Sequence, residues 1–340
     1  MYKSVISILV LMSFASCAMD HEIVSKEQER KIITLTSVTK ATEGESTTSP
    51  FYSGEDVWLW AKTSTDPEYI TAWKLSSDNE GNLTSSDEKY WPSDGSELTF
   101  YALHGNFIKT TITENSTPWA DLSLTHTVET NQSTGASKLK SDLLYAMKGS
   151  VKSNTTPAKL TFEHLLAKIT VKLDLSGCQG IESADLNKAT ISITNIFPDA
   201  VLSCSTGTAA NGSGNKTTII AGKITTVLSG VTEIGSAIVP LQSFGNNENI
   251  IQITLYDGRI FSYTPEATNL EKSKEYTYTL KIINGVLSVS SITVTDFDEI
   301  PVVKSWDIYL GELSVSDITV NGLAPTTADK SWDIYKESSE

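Results

Sequence analysis

Residues able to do chemistry are scattered through this 340-residue chain without the spacing of a known catalytic centre. The four histidines, His21, His104, His126 and His164, belong to no HExxH zinc motif, and the sequence contains no nucleophile elbow or Walker loop. The glycine-rich stretch at 211–215 lacks the strand-to-helix setting of a phosphate loop. We therefore predict that the chain is not an enzyme and that it uses no cofactor or metal.

Carboxylates are the most abundant ionisable groups in the chain. The pairs Asp87-Glu88 and Asp298-Glu299 could flank a glycosidic bond, as two carboxylates do in glycosidases. However, the formal net charge is -15, and acidic pairs are common on the surface of such a protein. The same charge argues against a nucleic-acid partner, which requires a basic surface.

The start of the chain has the pattern of a lipoprotein signal peptide. Lys3 precedes an apolar run over 4–14 that is too short to span a bilayer, and small residues lead into Cys17. We predict that residues 1–16 are removed and that Cys17 is acylated, with palmitate as a typical acyl group. The alternative is an ordinary secretory signal in which the cysteine occurs by chance. Both alternatives predict a mature chain outside the cytoplasm.

Two further cysteines, Cys178 and Cys204, follow much later in the sequence. In an oxidising compartment they could form one disulfide, which would contribute about 3–4 kcal/mol in the entropic description of cross-linking. Two free buried thiols are the alternative. Neither cysteine belongs to a CxxC motif, so redox or metal chemistry is not indicated.

Short strand-like segments separated by Ser, Asp and Gly turns make up most of the chain. Residues 169–175 alternate strictly between apolar and polar, as a strand with one buried face does. Asp257-Gly258 predicts a tight hairpin, whereas 162–167 could form either a strand or a short helical turn. We predict an all-β protein, most simply two β-sandwiches in tandem followed by an extended C-terminal β arm.

The predicted organisation includes a first strand that proteolysis could remove. This strand covers 31–38 and lies between polar stretches, 18–30 and 39–50, for which we predict little order. It must therefore pair with strands further along the chain. The predicted parts are the signal peptide 1–16, the lipidated tether with its removable strand 17–40, the N-terminal sandwich 41–155, the C-terminal sandwich 156–295 and the arm 296–340.

The end of the chain repeats one sequence with an offset of 26 residues. Residues 287–294 (LSVSSITV) return as 313–320 (LSVSDITV), and 304–309 (KSWDIY) return as 330–335. In each copy the apolar residues fall on both faces of a regular strand, which predicts a bulge, a crossover between sheets or burial on both faces. We expect the first copy to close the C-terminal sandwich.

Two interpretations of this duplication remain open. The copies could be two ordinary edge strands, or they could form an arm that completes the sheet of a neighbouring molecule. The second copy is the better candidate to leave the molecule. Its donor-strand candidates are Leu313, Val315, Ile318, Val320, Trp332 and Ile334.

A set of short motifs occurs in a characteristic order. Residues 90–95 (YWPSDG) precede 98–102 (LTFYA), and 143–146 (LLYA), 162–173 (FEHLLAKITVKL) and 238–241 (IVPL) follow. This ordered set resembles the fimbrillin family, whose members are subunits of the lipoprotein-derived (type V) pili of Bacteroidales. The resemblance implies two transthyretin-like, Greek-key sandwiches.

The resemblance also implies a route of assembly. The subunit would reach the outer membrane as a lipoprotein, and a protease with trypsin-like preference would remove the lipid and the first strand together. The scissile bond would join Lys40 to Ala41, with the bond between Arg30 and Lys31 as runner-up, although a cut there would leave the strand in place. A C-terminal strand of the next subunit would then fill the groove.

The implied location is the cell outer membrane and the surface fimbrium. The implied partners are other fimbrial subunits, the maturation protease and the lipoprotein lipidation machinery. The alternative function is a surface lipoprotein that keeps its lipid and binds a glycan or host ligand without polymerising. Seven tryptophans would suit a carbohydrate platform, but Trp58 and Trp60 alternate as core residues do.

Overall fold

The computed structural model describes most of the chain between residues 30 and 297. Within this range, residues 42–43, 46–50, 52, 79, 156 and 227 are left out, as are the side chains of 40, 41, 44 and 45. Several predictions concern residues outside the described part. They are the signal peptide 1–16, the lipidation site Cys17, the acidic pair Asp298-Glu299 and the donor-strand candidates Leu313, Val315, Ile318, Val320, Trp332 and Ile334.

The described residues are almost entirely strand, which confirms the predicted all-β class. The strands of the first half are β1 (Leu35–Ala41), β2 (Gly44–Glu45), β3 (Asp56–Lys62), β4 (Ile70–Ser77), β5 (Asn82–Thr84), β6 (Leu98–His104), β7 (Ser123–Thr127), β8 (Leu144–Val151) and β9 (Ala158–His164). Those of the second half are β10 (Ala167–Asp174), β11 (Thr190–Ile196), β12 (Asp199–Ser203), β13 (Thr208–Ala209), β14 (Thr217–Lys223), β15 (Val231–Val239), β16 (Ser243–Phe244), β17 (Ile251–Thr254), β18 (Ile260–Tyr263), β19 (Thr268–Asn269), β20 (Lys274–Ile283) and β21 (Val286–Asp296).

Helical structure in the described part is limited to α1 (Gly135–Lys140) and a 3-10 turn at Leu175–Gly177. Helix α1 begins with a capping box, in which the side chain of Thr134 accepts from the backbone of Ser137 and the Ser137 hydroxyl bonds back. A helix this short has no detectable apolar period, so the sequence did not predict it. None of the described helices has the length and apolarity needed to cross a membrane.

The first sheet closes on itself. Its strands follow the order β2-β1-β5-β4-β3-β6-β8-β9, and β1 also pairs with β9. The neighbours are antiparallel except for β1 and β9, which are parallel. The interior holds one apolar cluster that includes Phe51, Trp73, Phe100 and Phe162. β9 belongs to this sheet, although it follows the domain boundary predicted after residue 155.

Two four-stranded sheets form a sandwich in the second half. One has the order β15-β10-β20-β21 and the other β14-β11-β17-β18. Both contribute to a single buried core, for example through Val171 and Tyr278 from one sheet and Ile191 and Ile253 from the other. The alternation predicted for 169–175 is confirmed in part: Ile169, Val171 and Leu173 are buried and Lys172 and Asp174 are half-buried, but Thr170 is fully buried because β10 lies inside its sheet, and Leu175 lies in the 3-10 turn.

Contacts between the two halves include a shared apolar cluster, to which Trp60 and Leu103 of the first half contribute, together with backbone pairing and one buried amide. β7 from the first half pairs with β12 from the second over five residues. The side chain of Gln132 behaves like a strand neighbour: its Nε2 donates to the Ile238 carbonyl and its Oε1 accepts from the Ile238 N–H, both at 2.8 Å. This buried amide therefore has both of its polar groups satisfied.

The first copy of the C-terminal repeat lies in β21. This strand pairs antiparallel with β20, and the register shifts between Val289 and Ser291, so that Ser290 is an extra residue. Of the three alternatives predicted for the repeat, the structure shows the bulge. None of the other described strands pairs with the second edge of β21.

The start and end of the first strand differ from the prediction. The sequence predicts a strand over 31–38 and little order over 39–50. In the structure β1 begins at Leu35, extends to Ala41 and pairs with β2 in a hairpin. Residues 162–167 contain the end of β9 and the start of β10 instead of a helical turn. At 162–167 distant strands supply the hydrogen-bond partners and override the weak local preference, whereas the extension of β1 to Ala41 rests on a local hairpin with β2.

A buried glycine provides a first test of this packing. A Cβ at Gly222 in β14 would lie 2.3 Å from the carbonyl oxygen of Ile234 in β15. We expect Gly222→Ala to lower the free energy of unfolding by about 1–3 kcal/mol, because backbone atoms cannot move aside cheaply. Urea unfolding measures the loss. The matched control is Gly149→Ala, whose Cβ would meet only the Thr99 hydroxyl at 4.0 Å, and an equal loss in both variants would contradict the packing.

His126 in β7 is a buried neutral histidine. Its Nδ1 accepts from the Asn106 N–H and its Nε2 donates to the Ser141 carbonyl, both at 2.9 Å. Burial lowers the pKa of His126 to about 4, because the charged ring would lose its hydration. The native state therefore resists protonation of this ring at mildly acidic pH.

The stability of the protein should depend on this histidine between pH 6.5 and about 4. In that window the unfolded chain binds the proton and the folded chain does not, so stability is complete above the window and falls as pH falls. The loss between pH 7 and 4.5 is about 2–3 kcal/mol. Urea unfolding of wild type and His126→Gln at both pH values measures it, and the variant should lose less than wild type. Identical pH dependence in the two proteins would contradict the assignment.

Candidate strand-exchange site

β1 is the strand that closes the first sheet. It pairs antiparallel with β5 through Leu35 and Thr36, and it pairs parallel with β9 from Leu35, opposite Ala158, to Thr39, opposite Phe162. Without β1, the facing edges of β5 and β9 would expose unpaired peptide groups. The candidate site is therefore the groove between β5 and β9 that β1 fills, called here the β1 groove.

The chain leading into β1 extends the same set of contacts. The Ile33 N–H donates to the Lys89 carbonyl at 2.8 Å, and the Trp91 N–H donates to the Lys31 carbonyl at 2.9 Å. Residues 89–91 overlap the YWP motif recognised in the sequence, and they pair with this segment outside the named strands. The motif thus helps to hold the lead-in to β1.

Three apolar side chains fix β1 and its lead-in within the groove. Ile33, Leu35 and Val38 have exposed fractions of 4%, 2% and 8%. Burying a side chain of this size contributes about 1.5–3 kcal/mol relative to leaving it in water. These three places give the groove a requirement for apolar residues that backbone pairing alone would not impose.

Two hydroxyl groups occupy the remaining buried places. The Ser37 hydroxyl and the Ser37 N–H both donate to the carbonyl of Gly81, at 3.0 and 2.7 Å. The hydroxyl of Thr39 is buried and has no hydrogen-bond partner in the structure. The groove therefore selects a small donor at the first place and tolerates a polar group at a cost at the second.

A cavity of about 430 Å3 lies beside the lead-in to β1. Its lining includes Ile32, Leu35, Trp73 and Pro157, together with the residues of β5. β1 therefore does not fill all the apolar space available on this side of the groove.

The predicted scissile bond lies at the far end of β1. The backbones of Lys40 and Ala41 pair with those of Glu45 and Gly44 in a two-residue hairpin, so this bond lies in a strand end and not in an unpaired loop. The cleavage itself remains a prediction. At the runner-up bond, the guanidinium of Arg30 lies 6.0 Å from the ring centre of Tyr90, and Lys31 donates to the Ser153 carbonyl.

The acidic pair within the described part is engaged locally. Asp87 forms an ion pair with Lys89 at 2.7 Å and accepts from the Asn115 amide at 2.9 Å. These two hydrogen bonds lower the pKa of Asp87, and Glu88 accepts from the Tyr90 hydroxyl at 2.8 Å. Across the described ranges, no group of three or more His, Cys, Asp and Glu side chains is placed to hold a metal ion.

Cys178 and Cys204 are both free thiols in the structure, so the possible disulfide is not formed. The Cys178 thiol donates to the Asp174 carbonyl and accepts from the Ile282 N–H, both at 3.3 Å. Cys204 is fully buried after β12, and burial raises its pKa to about 12. The two thiols are held in separate parts of the structure by different partners.

His164 is buried at the end of β9. Its Nδ1 lies 2.7 Å from a carboxylate oxygen of Asp142, and its ring stacks on Phe297 with centroids 4.0 Å apart. Its Nε2 is buried without a hydrogen-bond partner. The predicted structural role therefore fits its burial, although only one of its two nitrogens is paired.

Most tryptophans in the described part serve as core residues. Trp60, Trp73, Trp91 and Trp119 are buried, and Trp58 is half-buried. A carbohydrate platform needs exposed ring faces, which these four do not offer. Trp306 and Trp332 lie outside the described residues.

The family profile described as Fimbrillin-like matches residues 39–296 of the sequence. The chain belongs to the fimbrillin-like family. The resemblance identified from the ordered motifs is therefore confirmed. A search of curated proteins finds no match to this fimbrillin-like chain.

Solved structures from Bacteroides resemble the fold of this fimbrillin-like chain. A protein of Bacteroides uniformis, provisionally assigned to cell adhesion, has 19% identity and a TM-score of 0.61, covering 80% of this chain and 99% of its own. A protein of Bacteroides ovatus with the same provisional assignment has 14% identity and a TM-score of 0.60, covering 79% and 98%. A fimbrial protein of Bacteroides vulgatus has 14% identity and a TM-score of 0.46, covering 78% and 99%. At these identities the first two show a shared fold alone.

The apolar contacts of β1 can be tested by truncation. Leu35→Ala should lower the free energy of unfolding by about 2–5 kcal/mol, because it removes a buried side chain at the centre of the groove. Urea unfolding measures the change. Thr34→Ala is the matched control, since Thr34 is exposed and contributes its backbone carbonyl to Ala158 in either variant. A loss in Leu35→Ala no larger than that in Thr34→Ala would contradict the role of β1 in the core.

Proposed function

We propose that this chain is a structural subunit of a cell-surface fimbria, in the stalk or at an accessory or tip position. Membership of the fimbrillin-like family supports a fimbrial or adhesive role. The observation that carries the finer proposal is β1, a strand near the start of the chain that closes the first sheet. Such a strand can be cut from the fold without removing any other element.

Export and anchoring come first in the proposed sequence of events. The lipoprotein lipidation machinery acylates Cys17, and the precursor is held at the cell outer membrane by this lipid. Residues 18–30 connect the lipid to the β1 groove. Lipid and β1 therefore lie on the same side of a cut after Lys40, and one cleavage removes both.

Cleavage between Lys40 and Ala41 by a trypsin-like protease then activates the subunit. The bond lies where β1 pairs with only two residues of β2, and such a short hairpin opens more readily than the centre of a sheet. A cut between Arg30 and Lys31 would leave β1 covalently attached. The position of Lys40 after the buried part of β1 therefore favours it as the activating site.

Polymerisation follows when the cleaved β1 leaves the groove. The exposed edges of β5 and β9 and the apolar places of Ile33, Leu35 and Val38 are costly to leave in water. A strand from the C-terminal repeat of the next subunit restores both the backbone hydrogen bonds and the apolar contacts. The partners are thus other fimbrial subunits.

Limited proteolysis tests this route. Treatment of the purified precursor with trypsin should produce a new N-terminus at Ala41, followed by oligomers visible in size-exclusion chromatography. The double variant Lys40→Ala with Arg30→Ala should remain monomeric, because a trypsin-like protease no longer recognises either candidate bond. Lys31→Ala alone is the control and should still assemble. Polymerisation of the double variant at the wild-type rate would sink the proposal.

A further inference from the structure

β1 with its lead-in and β21 carry the same pattern of side chains. Residues 33–40 have the sequence ITLTSVTK, and residues 287–294 have the sequence LSVSSITV. Seven of the eight positions match in kind, with apolar residues at the first, third and sixth and hydroxyl residues at the second, fourth, fifth and seventh. The exception is the last position, where Lys40 corresponds to Val294. The two patterns match when both segments are read from the N-terminus to the C-terminus.

β21 leaves most of its apolar side chains exposed to solvent. Val289, Ile292 and Val294 have exposed fractions of 38%, 47% and 52%, whereas Leu287 is buried. Val289 lies opposite Leu280 of β20, which is fully buried, so its side chain points to the core side of the sheet but lies beyond the edge of the core. The strand therefore has apolar residues that its own domain does not bury.

We propose that β21 of a second copy of this chain is the strand that fills the β1 groove after cleavage. It enters in the direction of β1, parallel to β9, with Leu287 in the place of Ile33 and Ile292 in the place of Val38. This inference rests on the proposed function and names the occupant, direction and register of the exchange. The first repeat copy, and not the second, is then the donor.

Burial favours this transfer. The places of Leu35 and Val38 are almost fully buried in the groove, whereas Val289 and Ile292, which would occupy them, are 38% and 47% exposed on their own sheet edge. Moving these side chains from a half-covered edge into the groove removes apolar surface from water. Val289 and Ile292 are therefore covered more fully after exchange than before it, whereas Leu287 is buried in both places and the ladder with β20 is exchanged for those with β5 and β9.

A single difference between the repeat copies selects the first one. The fifth position of the pattern is Ser37 in β1 and Ser291 in the first copy, but it is Asp317 in the second copy. At this place in the groove, a buried hydroxyl donates to the Gly81 carbonyl. A carboxylate there would lose its hydration and face a carbonyl oxygen with no proton to donate, which is strongly unfavourable.

An aspartate at the fifth position of the pattern would not carry this cost beside β20, where β21 now lies. Ser291 is exposed there, opposite Thr279, so a carboxylate in its place remains in water. Residues 313–320 are otherwise identical to 287–294. The second copy is thus suited to cover the edge that β21 vacates, and the duplication provides one strand for each place.

Peptide binding tests the choice of copy. Fluorescent peptides covering 286–296 and 312–322, and their Ser291→Asp and Asp317→Ser forms, are titrated into the full chain cleaved after Lys40. We expect both serine peptides to bind at least about tenfold more tightly than both aspartate peptides, because only serine can donate to the Gly81 carbonyl. If the aspartate peptides bind as tightly while the cleaved chain still polymerises, the inference is wrong and strand exchange stands. If the cleaved chain neither polymerises nor binds any peptide, the proposed function fails as well.

Disulfide trapping tests direction and register. Thr36 lies opposite Lys159 of β9, so the proposed register brings Ser290 of the donor to the same place. Polymers of Lys159→Cys with Ser290→Cys should cross-link between subunits under mild oxidation. Ser288→Cys with Lys159→Cys is the out-of-register control, and Lys159→Cys alone controls for the native cysteines. Polymers that form without the first cross-link, or that cross-link better through the control, overturn the register.

Discussion

The pairing of β1 with both β5 and β9 is the constraint on which the first sheet depends. Peptide groups along a strand edge must be satisfied, and β1 satisfies two edges at once because it lies between them. No other described strand does this for the same pair. The backbone bonds themselves carry little sequence information, whereas the places of Ile33, Leu35, Val38 and Ser37 do. The groove is therefore permissive in hydrogen bonding and selective in side-chain pattern.

Loss of β1 affects one of the two cores. Ile33 and Leu35 belong to the cluster inside the first sheet, whereas the second cluster joins the sandwich to the outer face of that sheet through residues such as Trp60 and Leu103 and includes no residue of β1. The halves stay connected by β7 with β12 and by the amide of Gln132 with the backbone of Ile238. The fold can thus open a groove at one place while the rest of its hydrogen bonding is kept, which is what a subunit that exchanges strands requires.

The edge of β21 that no described strand pairs with complements that groove. Edge strands are usually protected by charge, by a bulge or by short length, because an exposed apolar edge invites pairing with another chain. β21 has a bulge at Ser290, yet it is long and keeps Val289, Ile292 and Val294 exposed. Its backbone pairs with β20 along its whole length, so what the described fold leaves uncovered is one edge and three apolar side chains.

Local signals in the sequence determined the all-β class, the alternation of β10, the hairpin at Asp257-Gly258 and the bulge in the repeat. These features depend on the period of side chains and on turn chemistry, which neighbouring residues specify. The ordered motifs also identified the family. The sequence could not show that β1 pairs parallel with β9, that it extends to Ala41, or that Ser37 donates to Gly81. The extension to Ala41 rests on a local hairpin with β2. The contacts with β9 and Gly81 join residues far apart in the chain, and only the tertiary structure decides them, because any exposed strand edge offers the same backbone hydrogen bonds.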